Sequence, residues 1–203
     1  MQLLGRYLSP FVRRVATTLG IYEIPFESNP LQHTGDDAPR LRALNPVGRV
    51  PALVLDNGEV IVDSAAILDY LDREVGPDRA LTPASGSART QVMSLTGLAL
   101  GGVEKAIAVA YEVRFRPEER RHAPWVERCS EQSSGAYEHL NSLLEDDWLH
   151  GSQMTQADLT TAIGWQFMAL GMPDLKATIN APRLDGLLER MLEIPAFKDT
   201  IPG

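Results

Sequence analysis

Cysteine is almost absent from this chain: Cys129 stands alone among 203 residues. A single thiol excludes an intramolecular disulfide, a CxxC redox pair and any cysteine-rich metal site. Histidine is scarce as well. His33, His122, His139 and His150 show no metal-ligand spacing, so no metal is expected. Cations are outnumbered, with 19 Lys and Arg against 27 Asp and Glu and a net charge of -8. That balance argues against a nucleic-acid or anionic-membrane surface, which needs clustered Lys and Arg. The local exception is Arg114, Arg116, Arg120 and Arg121, interleaved with Glu118 and Glu119; it reads as a solvated helix start or loop. No apolar run approaches the length of a membrane span. The N-terminus opens on strand-like Gln2-Leu3-Leu4, with no charged-then-apolar leader. A cytoplasmic protein is expected.

What is present is an ordinary globular composition, 44% hydrophobic and 23% charged, enough for one domain or two small ones. The two halves are patterned differently. In the first, Gln2-Leu3-Leu4 reads as a strand. Ser9 then stands at a helix N-cap with Pro10 at the first helical position, where a missing N–H costs nothing. Val12, Val15, Ala16 and Leu19 follow at helical spacing, and Gly20 closes the helix. Alternation of Tyr22, Ile24 and Phe26 predicts a second strand. A short helix over 36–44 ends at Asn45-Pro46, because a residue before proline avoids the helical region. Strands over 51–55 and 59–62 flank Asn57-Gly58, a favoured two-residue hairpin turn, and Ser64 caps a last helix carrying Ile67, Leu68 and Leu71.

The predicted order is β-α-β-α-β-β-α, with the first pair of strands parallel and the last antiparallel, and it matches a thioredoxin-like fold. A Pro-, Gly- and Ser-rich connector follows. Beyond it only helical signals appear, over 88–113, 124–144, 155–168 and 182–192, with a short turn after Pro195. The expected organisation is an α/β domain at 1–77, a linker at 78–87 and an all-helical domain at 88–203. Gly101-Gly102 inside the first long helix costs about 1 kcal/mol per glycine relative to alanine and predicts a kink or a close helix approach.

Three places can carry chemistry. Ser9 at a helix start suits an anion such as a thiolate, because free N–H groups and a partial positive charge lie there; its plain alternative is a cap. Pro51 at the mouth of a strand is either an edge residue or a cis proline that turns the Val50 backbone outward to pair with an extended peptide. Asp63-Ser64 is either simple capping or a pair that takes an ammonium and a carboxylate.

Ser9-Pro10-Phe11-x-x-Arg14-Val15, Asn45-Pro46-x-x-x-Val50-Pro51-x-Leu53 and Asp63-Ser64-x-Ala66-Ile67-x-x-Tyr70-Leu71 follow one another in the order and spacing of a known set of motifs. The chain resembles the serine-type glutathione transferases, in particular bacterial members and the plant tau and zeta classes. Gly151-x-x-x-Thr155-x-x-Asp158 is similar to that family's capping signature in the helical domain, where an N-cap hydroxyl and an acid three residues on satisfy each other.

The resemblance implies glutathione as co-substrate, with Ser9 on its sulfur and Phe11 beside it. It implies the Val50-Pro51 backbone on the cysteinyl part, Asp63 and Ser64 on the γ-glutamyl end, and His33 and Arg49 near the glycyl carboxylate. Tyr7 is the alternative hydroxyl for the sulfur, set aside because it is read as lying inside the strand. An electrophile pocket is expected along the helix that ends near Tyr111, with Tyr111, Arg114, Phe115, Trp165 and Phe167 as candidates for its lining. The activity implied is conjugation of glutathione to an electrophilic small molecule by a homodimer. Two alternatives accompany it: a zeta-like glutathione-dependent isomerase, though the Ser-Ser-Cys signature is missing, and a non-catalytic binding module.

Overall fold

The computed structural model describes residues 1–202. The chain forms two units, one of residues 1–84 together with 192–203, the other of residues 85–191.

The first unit is built on a four-stranded sheet of β1 (Gln2–Leu4), β2 (Glu27–Asn29), β3 (Ala52–Val54) and β4 (Val60–Val62), in the order β2-β1-β3-β4. β1 and β2 are parallel; β1–β3 and β3–β4 are antiparallel. Helices α1 (Pro10–Ile21), α2 (Ala38–Leu44) and α3 (Ser64–Val75) complete a thioredoxin-like domain. Leu4 packs with Leu31, Leu41 and Ala52 on one face of the sheet. Its neighbour Leu3 points to the other face, because successive strand side chains alternate. Leu3 is fully buried, as are Val12, Val15 and Leu19 of α1 and Ile67 and Leu71 of α3. Each such burial contributes about 1.5–3 kcal/mol relative to exposure.

Two local expectations are corrected. Tyr22 is not in a strand. It is the C-cap of α1, and its hydroxyl donates to Asp72 of α3 and accepts from the Leu81 N–H at 2.6 Å. The strand instead runs over Glu27–Asn29, an exposed and polar segment with no apolar alternation to announce it. The hairpin turn also differs. Leu55 N–H bonds the Glu59 carbonyl at 2.8 Å, so the loop has three residues, and only Gly58 (φ 86°) has positive φ. That is a turn closed by a left-handed glycine, not the two-residue form that would hold Asn57 at positive φ as well.

The second unit is helical: α4 (Gly86–Phe115), α5 (Ala123–Leu143), α6 (Gln156–Gly171), α7 (Pro173–Ala177) and α8 (Pro182–Leu192), whose final residue begins the return to the first unit. α4 is long and apolar enough to cross a membrane by length and composition, with an 18-residue stretch of mean hydropathy 1.4. Val92, Ala99, Val103 and Ala106 give α4 a buried face, and α4 packs on α5 and α6. The close approach predicted near Gly101-Gly102 occurs at Gly102. A Cβ there would stand 2.7 Å from the Tyr137 ring, and one at Gly164 of α6 would meet the Tyr137 hydroxyl at 2.0 Å. Tyr137 is thus keyed between two glycines on neighbouring helices.

Residues 192–202 were expected to stay with the helical domain, but they fall in the first unit, where α9 packs on α1. The short helix α9 (Pro195–Lys198) brings the Phe197 ring within 4.3 Å of the Arg13 guanidinium, which also donates to the Phe197 carbonyl at 3.4 Å. Thr17 and Thr200 share a hydroxyl contact of 2.8 Å.

Candidate functional site

β1 ends at Leu4, and Gly5 turns the chain with φ 120°. A Cβ on Gly5 would lie 2.6 Å from Val12 Cγ2 and 2.8 Å from Val50 Cβ, so only glycine lets the start of α1 and the Val50 loop close on the strand end. The next residues form a turn in which the Ser9 N–H bonds the Arg6 carbonyl at 3.0 Å. Tyr7 lies in this turn and is half-buried, not inside the strand as expected. The reason for preferring Ser9 over Tyr7 on position alone therefore falls away.

Ser9 caps α1 loosely. Its Oγ accepts from the Val12 N–H at 3.5 Å, the outer limit for such a bond. Pro10 supplies no N–H, and no acceptor for the Phe11 N–H is found among the described residues. The half-buried helix start therefore keeps donor capacity for an anion.

Val50 follows a loop organised by Asn45. The Asn45 side chain donates to the Arg49 carbonyl at 2.8 Å and accepts from the Val47 N–H at 3.1 Å. Asn45 was read as a helix stop and as part of a motif; its role in bracing the loop was invisible without the loop's path. The Val50–Pro51 bond is cis. Among the described residues the Val50 backbone N–H and C=O have no hydrogen-bond partner outside the strands. His33 and Arg49 are exposed.

At the start of α3 the roles are exchanged relative to expectation. Asp63, exposed and at φ 74°, is the N-cap, accepting from the Ala65 N–H at 2.7 Å. Ser64 is the first helical residue and is buried. Its hydroxyl accepts from Arg14 Nη1 at 3.4 Å. Arg14, on the buried side of α1, is 2% exposed. Burial lowers its pKa to about 10, while the charges of Asp63 and Asp72 pull it upward.

The expected electrophile residues lie in the second unit. Tyr111, Arg114 and Phe115 are exposed at the end of α4, with the two rings edge to face at 5.2 Å. Trp165 is corrected to a core residue. It is 2% exposed, packs 5.7 Å from Tyr137, and donates from Nε1 to Asp185 at 2.8 Å. Phe167 is half-buried on the same helix. Among the described residues no group of three or more His, Cys, Asp or Glu converges on a common point.

Residues 3–79 match the family described as glutathione S-transferase, N-terminal domain. A crystal structure of a glutathione S-transferase from Methylobacillus flagellatus KT, solved with glutathione bound, superposes with a TM-score of 0.92. The two chains are 26% identical, and the match covers 100% of this chain and 99% of that one. Residues 3–79 thus carry a glutathione S-transferase N-terminal domain, in a chain with the glutathione transferase fold. The uncharacterized GST-like protein YibF of Escherichia coli K12 is 28% identical over 204 residues, spanning 100% of this chain and 98% of its own length. The maleylacetoacetate isomerase of Pseudomonas aeruginosa is 28% identical over 166 residues, 78% of this chain and 77% of that protein.

Proposed function

We propose that this protein is a glutathione transferase that binds reduced glutathione, holds it as the thiolate and directs the sulfur onto an electrophilic small molecule. The observation that carries this reading is the slack helix start at Ser9, with a hydroxyl, a weakly engaged Val12 N–H and an open Phe11 N–H in one place. A free thiol has a pKa near 8.5, and lowering it by about two units requires about 2.7 kcal/mol of preferential thiolate stabilisation. Hydrogen bonds to a charged group contribute about 1.5–3 kcal/mol each, so one hydroxyl and one N–H supply that amount. Ser9 donates and does not ionise. The thiol proton passes to solvent, and a sulfur lone pair forms the new bond to the electrophile as a leaving group departs with its bonding pair or, in an addition, as a π pair shifts to the neighbouring atom and takes a proton from solvent.

The rest of the ligand has matching groups. The Val50 backbone suits the cysteinyl amide by strand-like pairing. Asp63 keeps a carboxylate oxygen for the α-ammonium, Ser64 offers a hydroxyl and an N–H to the α-carboxylate, and His33 and Arg49 are candidates for the glycyl carboxylate. Tyr111, Arg114 and Phe115 are the candidates for contact with the electrophile. Likeness to the Methylobacillus enzyme, solved with glutathione, supports this reading. We place the protein in the cytoplasm as a homodimer, for which sedimentation at micromolar concentration is the check.

The test is the ultraviolet thiolate absorbance of bound glutathione against pH, for the parent, Ser9→Ala and Tyr7→Phe. The expected result is a thiol titrating about two units below free glutathione, with most of the shift lost in Ser9→Ala. A shift lost in Tyr7→Phe instead moves the donor to Tyr7. A parent that does not bind glutathione sinks the reading in favour of a non-catalytic module. Isomerisation is the second reading, favoured by the likeness to the Pseudomonas aeruginosa isomerase. It is separated from conjugation by whether glutathione is consumed.

A further inference from the structure

We propose that Arg14 is a positioning residue that fixes Ser64 as a hydrogen-bond donor to a ligand's α-carboxylate and adds a buried positive charge beneath it. This rests on the glutathione reading above and deepens it. An arginine has donors only, so the Ser64 oxygen must accept from Nη1, and its single hydrogen is left for an acceptor elsewhere. Without that contact the hydroxyl is free to turn and accept from some other donor, and its availability to an anion is lost.

The guanidinium itself is under-used. It is buried to 2% exposure, its hydrogen bond to Ser64 is long at 3.4 Å, and its Nε has no acceptor among the described residues. Asp63 and Asp72 act on it through their charges while each also accepts a hydrogen bond elsewhere, Asp63 from the Ala65 N–H and Asp72 from the Tyr22 hydroxyl. Burying a charge with open donors is costly unless something compensates it. Its position under the first turn of α3 adds the guanidinium field to that of the helix N-terminus, and both favour an anion at Ser64. The chemistry selected is a free carboxylate next to the ammonium held by Asp63. A γ-linked acyl group without that carboxylate brings no anion to Ser64 and the arginine beneath it.

The experiment is calorimetric titration of the full-length protein with glutathione and with γ-aminobutyryl-cysteinyl-glycine, which lacks only the α-carboxylate. The readout is the ratio of the two dissociation constants, in the parent, Arg14→Met and Arg14→Lys. The parent should favour glutathione by more than about tenfold, the scale of a hydrogen bond to a charged group. Arg14→Met should bring the ratio down about tenfold, toward parity, and Arg14→Lys, which keeps charge without the reach of the fork, by about threefold. If Arg14→Met does not fold, the lysine variant decides. A ratio equal to the parent's in either folded variant, or equal weakening of both ligands, overturns the role of Arg14 and leaves the glutathione reading intact. A parent that binds glutathione without discriminating overturns it too. A parent that binds neither ligand removes the function proposed above and this inference with it.

Discussion

Ser9 and Thr155 both stand at helix starts, one in each unit, with a hydroxyl oxygen facing the first turn, but their surroundings differ in every respect that matters. Thr155 is buried; its Oγ1 accepts from the Ala157 N–H at 3.3 Å and donates to Asp158 Oδ2 at 2.8 Å. Asp158 also receives the Thr155 N–H at 2.8 Å and, on its other oxygen, the Leu149 N–H at 2.7 Å. Every group there has a partner. Ser9 is half-buried, its single bond is 3.5 Å long, and the Phe11 N–H beside it is open. A helix start whose donors are all consumed from within the fold holds structure. One whose donors are left over can hold a ligand.

The strongest way to break this contrast is Asp158→Ala, which strands three buried donors at once. The expected loss is roughly 3–5 kcal/mol of stability, read as a lower urea midpoint, with the thiol pKa of bound glutathione unchanged in the folded fraction. Next comes the matched pair. Thr155→Ala should cost about 1–2 kcal/mol, and Ser9→Ala less than about 1 kcal/mol, because a long, half-exposed cap contributes little. Equal losses at the two positions would erase the distinction. The smallest effect is in pH. Burial holds the Asp158 carboxyl above its ordinary value of 3.8, against the pull of the donors around it. Between that value and its folded pKa the native state binds more protons than the unfolded one, so this group's stabilising share is fully present below 3.8 and declines as pH rises through the folded pKa. The difference between the melting curves of the parent and Asp158→Asn should carry that slope; a flat or rising difference would contradict it.

Much of the first unit could be read before its structure, because its strands and helices carry apolar residues at the right periods and its turns carry Pro and Gly. β2 could not. Glu27–Asn29 is polar and exposed, and it joins the sheet only because α1 delivers it there, while the alternation just upstream belongs to a cap and a buried tyrosine. α7 escaped for a similar reason: five residues carry too little periodicity to register. Ser9, Asp63 and Ser64 were legible as a candidate site through the family resemblance of the motifs that hold them. Arg14 stood within the same motif with no sign that it would be buried under Ser64, since an arginine on a helix ordinarily signals water. Trp165 carried the opposite ambiguity. An aromatic at helical spacing serves a core or a pocket equally well until its neighbours are known, and here Tyr137 and Asp185 claim it.

The docking of residues 192–202 against α1 has a consequence for how the protein is made. Arg13 and the α1 surface around Thr17 and Gly20 find Phe197, Thr200 and Ala196 nearly two hundred residues downstream. During synthesis the N-terminal unit emerges first, yet it stays an unfinished fold while the whole helical unit is translated. A buried guanidinium waits throughout for a ring the ribosome has not yet added.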